Sequence, residues 1–81
     1  MTEEIRCGVY EHYKGNRYLV IGVARDDATE DLLVIYSRLY NRDGVPLSAR
    51  KLTDFVGTVV DETGKQVKRF RYVGLEDTLV P

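Results

Sequence analysis

The side chains with the widest chemical repertoire stand close together near the start of the chain. His12 is the only histidine among 81 residues, and Tyr10, Tyr13 and Lys14 lie within two positions of it. An imidazole titrates near neutral pH and serves as acid, base, metal ligand or hydrogen-bond partner. If the segment is a strand, Tyr10 and His12 share one face. These residue types predict a shallow site for an anionic or planar ligand.

Two interpretations of His12 stay open at this level. In the first, the ring hydrogen-bonds a backbone carbonyl and fixes the turn at Lys14 and Gly15. In the second, the ring lines a ligand-binding surface to which the following strand contributes. The predicted ligand-binding residues are then Tyr10, His12, Tyr13, Lys14, Tyr18 and Arg25.

The sequence predicts neither a metal site nor a catalytic nucleophile. Cys7, the only cysteine, is five positions from His12, which on a regular strand points the two side chains to opposite faces. Zinc needs three or four ligands, and a Cys-His nucleophilic pair needs the two groups in contact. We therefore assign no metal, no cofactor and no catalytic residue. A small enzyme that uses His12 as acid or base is a disfavoured alternative, because no second catalytic group can be named.

The most basic part of the chain, residues 65–72, interleaves cations with aromatic residues. Alternation along a strand puts Arg69 and Arg71 on one face and Phe70 on the other. If exposed, the pattern suits phosphate contacts with base stacking; the alternative is a solvated strand face with Phe70 in the core. With two cations from an earlier segment, the candidate nucleic-acid patch is Arg50, Lys51, Lys68, Arg69 and Arg71.

Composition limits the class of protein. Lys and Arg number 12 against 13 Asp and Glu, so the near-zero net charge attracts no polyanion over a distance and a nucleic-acid site must be a local patch. A content of 43% hydrophobic and 31% charged residues is typical of a folded globular domain. At this length the chain holds one core, so we predict a single domain over residues 1–81.

The same counts predict where the protein resides. The longest apolar stretch, Leu32 to Tyr36, is far shorter than a membrane span, and the first residues lack the apolar run of a secretory signal. A lone cysteine agrees with a reducing compartment. We therefore expect a cytoplasmic protein without membrane association.

Residues 17–25 are the first strong strand signal. Alternation places Tyr18 and Val20 on one face and Leu19 and Ile21 on the other, and both faces are apolar. A strand buried on both sides in so short a chain is typical of a small closed or half-closed barrel.

A second strand is predicted directly after this one. Residues 26–31 are polar and turn-like, and residues 32–40 are again rich in β-branched and aromatic side chains. The two apolar segments should form a hairpin. A helix over residues 29–40 is the competing interpretation, but the β-branched pair Val34 and Ile35 favours a strand.

The second half continues with short elements. Asp43-Gly44 predicts a tight turn, residues 45–50 an extended segment and residues 51–55 one short helical turn. Residues 56–60 and 66–72 then predict a second hairpin. Repeated short strands with such turns indicate an antiparallel all-β domain with an ordered core at about 7–73. Loosely held ends are expected at Glu3 to Cys7 and at Leu75 to Pro81.

One longer pattern spans the first half of the chain. Written with x at the unmatched positions, it reads Gly8-x-Tyr10-x-His12-Tyr13-Lys14-Gly15-x-x-Tyr18-x-Val20-x-Gly22-x-Ala24-Arg25, continued by Thr29-Glu30-x-x-x-Val34-x-Tyr36-x-x-Leu39-Tyr40. The pattern resembles a family of short, mainly bacterial and phage proteins called domain of unknown function 1653, and the resemblance covers about residues 7–73. It implies a small SH3-like barrel and no settled role.

The second half departs from the pattern of that family. Relatives carry Trp-Val-Arg-Pro before a Met-Phe pair, where this chain has residues 48–51 before Asp54 and Phe55, so only Arg50 and Phe55 match. The family's Val-Pro-Arg-Phe corresponds to residues 67–70, again without the proline. A binding surface built on that tryptophan in relatives is altered here.

Taken together, the sequence predicts an all-β protein, either a small antiparallel SH3-like barrel or a strongly curled sheet. We expect an uncharacterised binding or adaptor module that recognises a peptide, nucleotide or protein partner near His12. A nucleic-acid-binding domain that uses the basic and aromatic patch is the alternative. Monomer and homodimer are both open, since a small domain with open strands gains from pairing an edge.

Overall fold

The computed structural model describes residues 5–75. They form seven β-strands and one short helix, in the order β1 (Gly8–His12), β2 (Arg17–Arg25), β3 (Leu32–Arg38), β4 (Leu47–Lys51), α1 (Leu52–Phe55), β5 (Thr58–Val60), β6 (Gln66–Lys68) and β7 (Phe70–Gly74). The predicted loosely held termini lie mostly outside these residues.

Five of these strands form one antiparallel sheet in the order β4-β3-β2-β1-β7, and β5 pairs with β6 in a separate two-stranded sheet. The larger sheet is curled but open, because its edge strands β4 and β7 are not hydrogen-bonded to each other. The predicted antiparallel all-β fold is therefore confirmed in its curled-sheet form, and within residues 5–75 the strands do not close into a barrel.

The first predicted hairpin is confirmed. β2 and β3 pair from Tyr18 opposite Arg38 to Arg25 opposite Leu32. Asp26 shapes the connection, since its carboxylate accepts a hydrogen bond of 2.8 Å from the N–H of Ala28. The helix considered for residues 29–40 is wrong, because the β-branched side chains of this segment form strand β3 instead.

The prediction that residues 17–25 are buried on both faces is wrong. A β-bulge between Val20 and Gly22 inserts one residue, so that Val23 lies opposite Val34 and shares the face of Val20. On the other face Leu19 keeps 38% of its surface exposed. We call the face that carries Val20 and Val34 the inner face and the opposite one the outer face.

The strand predicted over residues 66–72 is two strands in two sheets. β6 pairs with β5, which confirms the hairpin around the turn at 61–65, whereas β7 pairs with β1. The chain breaks between them at Arg69, whose N–H donates a hydrogen bond of 3.0 Å to the carbonyl of Gly57. Arg69 belongs to neither strand, so the alternation of inward and outward side chains in β7 is counted from Phe70.

The core lies on the inner face and is largely aromatic. Its buried members are Tyr10, Val20, Val34, Tyr36, Leu52, Phe55 and Phe70. The predicted helical turn is α1, which brings Phe55 against Phe70 with stacked rings 4.2 Å apart between centroids. No helix within residues 5–75 is long and apolar enough to cross a membrane.

Candidate functional site

β1 and β2 join through a tight turn at residues 12–16. The N–H of Gly15 donates a hydrogen bond of 2.7 Å to the carbonyl of His12, and φ of Gly15 is +109°, a value that glycine adopts without steric cost. The N–H of Tyr13 donates to the carbonyl of Arg69 at 2.9 Å. The turn is thereby anchored to the junction between β6 and β7.

The ring of His12 is half-buried inside this turn. Its Nδ1 accepts a hydrogen bond of 3.2 Å from the N–H of Lys14. The ring meets Tyr13 at 4.6 Å and Phe70 at 5.0 Å between centroids, the latter edge to face. His12 therefore fixes the turn as an acceptor, where the sequence interpretation had it hydrogen-bonding a carbonyl. In the neutral ring the proton then resides on Nε2.

Three cations act on this ring, and we call Lys14, Arg50 and Arg69 the cationic cluster. Burial lowers the pKa of His12, and the charges of Arg50, Arg69 and Lys14 lower it further. His12 is consequently neutral at pH 7, and the charge of the cluster comes from the three side chains around it.

Arg50 reaches the site from β4 across the inner face. Its Nε donates to the hydroxyl of Tyr36 at 3.3 Å, and its guanidinium carbon lies 5.8 Å from the ring centroid of Phe70. The neighbouring Lys51 projects to the outer face, because Arg50 pairs with Val34 and Lys51 with the next residue of β3. Tyr36 and Phe70 are buried, so the Arg50 side chain rests on a rigid support.

Arg69 occupies the junction between the two sheets, where both its backbone groups are hydrogen-bonded. Its Nε is buried and has no hydrogen-bond partner among the described residues. Leaving a buried donor unpaired costs on the order of 1–3 kcal/mol, and more for a charged group. An acceptor supplied by a ligand would remove that penalty.

Ion pairing divides the cations of this protein into two groups. The paired ones are Arg71 with Glu11 at 2.6 Å, Arg17 with Glu11 at 3.5 Å, Arg25 with Asp27 at 3.5 Å and Lys51 with Asp31 at 3.7 Å. By contrast, no carboxylate of residues 5–75 forms an ion pair with Lys14, Arg50, Lys68 or Arg69. Those four unpaired cations come from the first turn, β4, β6 and the β6–β7 junction, and the paired ones lie on the outer face or at the far end of the sheet. Arg38, Arg42 and Lys65 also form no ion pair with a carboxylate of residues 5–75, and Arg38 donates to backbone carbonyls instead.

The two residue sets predicted from the sequence overlap in the structure. His12 from the ligand-binding set and Arg50 from the nucleic-acid set both lie at the Phe70 ring, and the backbone of Tyr13 is hydrogen-bonded to that of Arg69. Lys14 follows in the same turn. Neither set alone describes the cluster.

Four predicted residues lie elsewhere. Tyr10 is a core residue with 7% of its surface exposed, and its hydroxyl donates to a backbone carbonyl at 2.9 Å. Arg25 is the last residue of β2, at the end of the strand that is farthest from the turn, and it lies beside the acidic connection to β3. Lys51 and Arg71 project from the outer face, where carboxylates neutralise them.

Tyr18 lies beside the cluster and is paired with a residue that sequence reasoning missed. Its hydroxyl is 3.0 Å from that of Tyr40, and its ring meets His12 edge to face at 6.5 Å. Burial, together with the hydrogen bond to Tyr40, raises the pKa of Tyr18 to about 12. That same bond lowers the pKa of Tyr40. The sequence offered one indication of Tyr40, because the family pattern quoted above includes this residue.

The loop that carries Tyr40 is shaped by Arg38. The guanidinium of Arg38 donates to the carbonyls of Arg42 at 2.8 Å and of Gly44 and Val45 at 2.9 Å each. One side chain thus satisfies backbone acceptors of the whole turn. No sequence signal pointed to Arg38, because its partners are main-chain atoms.

A hollow of about 500 Å³ opens on the other side of the turn. Its lining residues are Glu11, His12, Tyr13, Gly15, Asp61, Val67, Lys68 and Arg71. A hydrogen bond from Arg71 lowers the pKa of Glu11, and one from Thr63 lowers the pKa of Asp61, so both acids are ionised at pH 7. Two acids offset two cations here, so the hollow suits a neutral polar or planar group beside the charged cluster.

The structure thus shows a small antiparallel β-domain with a group of cations and aromatic rings beside its first turn. Within residues 5–75, no three His, Cys, Asp or Glu side chains group as metal ligands. A family model described as "Protein of unknown function (DUF1653)" matches residues 8–72, and the chain belongs to this family. It is similar to the crystal structure of a protein of that family from Bordetella bronchiseptica, with 48% sequence identity and a TM-score of 0.83. The match covers 88% of this chain and 90% of that one. No curated protein matches the chain.

Proposed function

We propose that this protein is a non-catalytic binding module that recognises an anionic group of a peptide, nucleotide or protein partner beside the His12 turn. The proposal is carried by the placement of Arg50 over the Phe70 ring that His12 also contacts, together with the buried, unpaired Nε of Arg69 at the junction that anchors the turn. Neither arginine has a carboxylate partner among residues 5–75. Cations held together on a folded surface repel one another, and a bound anion relieves that repulsion.

The state of His12 supports binding over catalysis. Its Nδ1 lone pair is engaged by the N–H of Lys14, and the neutral ring then carries its proton on Nε2. A general base needs a free lone pair, whereas a binding site needs a donor directed at the ligand. The ring fills the second role in the neutral state.

Nucleic-acid binding is the second candidate. It is supported by the unpaired Lys68, which extends the cationic cluster toward the hollow beside the half-buried ring of Tyr13. Phosphate contacts with an aromatic ring between them are typical of single-strand recognition. This candidate predicts a steep loss of oligonucleotide affinity with rising salt, which fluorescence anisotropy measures.

The test of the anion-binding module is a titration of ¹⁵N-labelled protein with inorganic phosphate, followed by NMR. We expect the amide signals of Tyr13 and Arg69 to shift and the pKa of His12 to rise, because a bound anion favours the imidazolium. Arg69→Gln should weaken the effect. Arg25→Gln changes the net charge equally but lies at the far end of β2, so it should not.

Unchanged signals of Tyr13, Arg69 and His12 at saturating phosphate would contradict the proposal. So would equal weakening by the two variants, since that would show a general effect of net charge. The proposal includes cytoplasmic residence, supported by the lone cysteine, and leaves monomer and homodimer as separate predictions.

A further inference from the structure

We infer that the recognised group is a terminal phosphate, a phosphate monoester that carries two negative charges, rather than a carboxylate or a phosphodiester. The inference rests on the proposed function and narrows it to one chemical class. It follows from the number, rigidity and pairing of the donors around Phe70.

Donors from two separate elements meet at the ring of Phe70, and a third lies next to it in the chain. The His12 ring from the first turn lies 5.0 Å from the Phe70 ring, and the guanidinium of Arg50 from β4 lies 5.8 Å from it. Arg69 is at the junction of the two sheets, where its carbonyl accepts a hydrogen bond of 2.9 Å from the N–H of Tyr13 in the turn. A group bound between these elements is approached from several directions, which suits a tetrahedral ligand better than a planar one.

The charge of the cluster matches a dianion. Lys14, Arg50 and Arg69 contribute three positive charges, and no carboxylate of residues 5–75 pairs with them. A carboxylate or a phosphodiester brings one negative charge. A phosphate monoester brings close to two at pH 7 and three strong acceptor oxygens. It therefore neutralises more of the cluster and satisfies more of its donors.

The donors are also held in place before a ligand arrives. Arg50 is fixed by the hydroxyl of Tyr36 and by the face of Phe70, both buried. The Nε of Arg69 is already removed from water and unpaired. A planar, pre-positioned guanidinium loses little freedom on binding, and it matches phosphate with two parallel hydrogen bonds.

Other charged groups near His12 do not cancel the positive charge of the cationic cluster. On the turn the only further charge is Lys14, and Arg50 and Arg69 face the ring from β4 and from the β6–β7 junction. Glu11, the preceding residue, projects to the outer face and is bound by Arg71 at 2.6 Å. Asp61 and Glu62, from the turn between β5 and β6, line a hollow with Lys14, but neither forms an ion pair with a cation of the cluster. The hydroxyl of Tyr18, whose pKa is raised to about 12, is uncharged at pH 7. The cluster is thus positive toward a ligand.

The experiment compares three anions at pH 7.5 and constant ionic strength: inorganic phosphate, dimethyl phosphate and acetate. Dissociation constants come from the amide shift of Arg69 and from calorimetry. We expect phosphate to bind at least about tenfold more tightly than the two monoanions, since each charge-assisted hydrogen bond is worth about one order of magnitude or more.

Variants locate the effect. Arg69→Gln should weaken phosphate binding about tenfold, whereas Lys51→Gln, which removes a paired charge from the outer face, should leave it unchanged. Dispersed amide spectra confirm that each variant is folded. If Arg69→Gln unfolds the domain, Arg50→Gln on the edge strand takes its place.

The outcomes separate the two levels of the proposal. Equal affinity for the three anions would overturn the phosphate inference and leave an anion-binding module. If none of the three anions binds, both the anion-binding function and the preference for phosphate are contradicted. If phosphate is preferred, a nucleoside monophosphate and a phosphotyrosine peptide form the last two arms, and the tighter of them identifies the source of the phosphate group.

Discussion

The inner and outer faces of the five-stranded sheet both carry charged side chains, but the charges of the two faces differ in their partners. On the outer face Glu11 lies between Arg17 and Arg71 and forms an ion pair with each. On the inner face Arg50 lies beside the buried aromatic core without a carboxylate partner among the described residues, and so does Arg69 at the adjoining β6–β7 junction. The candidate site is therefore distinguished by an unpaired cation that is held against buried aromatic side chains.

The two faces also differ in what supports them. The inner face is backed by α1 and the stacked rings of Phe55 and Phe70, so its side chains have fixed positions. The outer face leaves Leu19 and Leu47 with 38% and 50% of their surface exposed. A site that must hold a ligand in one geometry is better built on the packed face.

The largest expected effect tests the difference in packing. Phe70→Ala removes a ring that contacts Phe55, Tyr36 and His12, and it should lower the free energy of unfolding by about 3–5 kcal/mol. Leu47→Ala, on the outer face, should cost about 1 kcal/mol or less. Urea denaturation measures both, and similar losses would show that the faces contribute equally.

Two glycines provide the next comparison. Gly8 has φ of +138°, and an added Cβ would lie 2.7 Å from the carbonyl oxygen of Gly74, so Gly8→Ala should cost about 2 kcal/mol. Gly22 has no atom within 4 Å of such a Cβ. Gly22→Ala should change the stability by less than about 1 kcal/mol, in the stabilising direction. Thermal denaturation of the two variants checks the contrast.

The hydroxyl pair at the edge of the site gives a smaller effect. Tyr40→Phe removes the hydrogen bond to Tyr18 and should lower the free energy of unfolding by about 1 kcal/mol. The pKa of Tyr18 should then fall from about 12 but stay above its ordinary value, because burial is the main cause of the shift. Ultraviolet titration of the tyrosines follows it. An unchanged titration would show that the pair is not formed.

Stability should depend on pH through His12. Its pKa is lower in the folded protein than in the unfolded chain, so between the two values the unfolded chain binds more protons. The contribution of His12 to the free energy of unfolding is therefore complete above the pKa of about 6.5 that the ring has in the unfolded chain. It is lost as the pH falls toward the lower pKa of the folded protein. His12→Asn, whose side-chain oxygen can replace Nδ1, should flatten the profile between pH 5.5 and 8. A wild-type profile that is already flat there would contradict the assignment.

The smallest effect belongs to the outer face. Arg71→Gln removes an exposed ion pair with Glu11 and should change the free energy of unfolding by less than about 1 kcal/mol. Calorimetry with phosphate should give the affinity of the unaltered protein, because the charge of Arg71 is already engaged by Glu11. A loss as large as that of Arg69→Gln would abolish the distinction between the faces.

Much of the fold follows from local sequence patterns. The β-branched and aromatic segments form β2 and β3, the acidic segment between them forms their connection, and residues 52–55 form the one helical turn. The pairing of Tyr10 and His12 on one face follows from alternation alone, since β1 is regular from Tyr10 onward. Periodicity is a strong signal where a strand is uninterrupted.

Irregularities in the backbone account for the side chains that alternation assigned to the wrong face. The bulge at Ile21 moves Val23 to the inner face, and the break at Arg69 assigns β6 and β7 to different sheets. Gly22 flanks the bulge, but one glycine among several does not fix where a bulge occurs, and neither glycine nor proline stands next to Arg69. Alternation counted across such a point assigns side chains to the wrong face.

By itself, then, the sequence determined the class of fold, the strands, their turns and the concentration of chemically active residues at His12, because these depend on neighbours along the chain. The tertiary structure decided which cations meet and which are paired. Arg50 and Arg69 come from opposite edges of the sheet, and whether a carboxylate reaches them depends on register and on strand order. Those are long-range properties, and local residue patterns do not specify them.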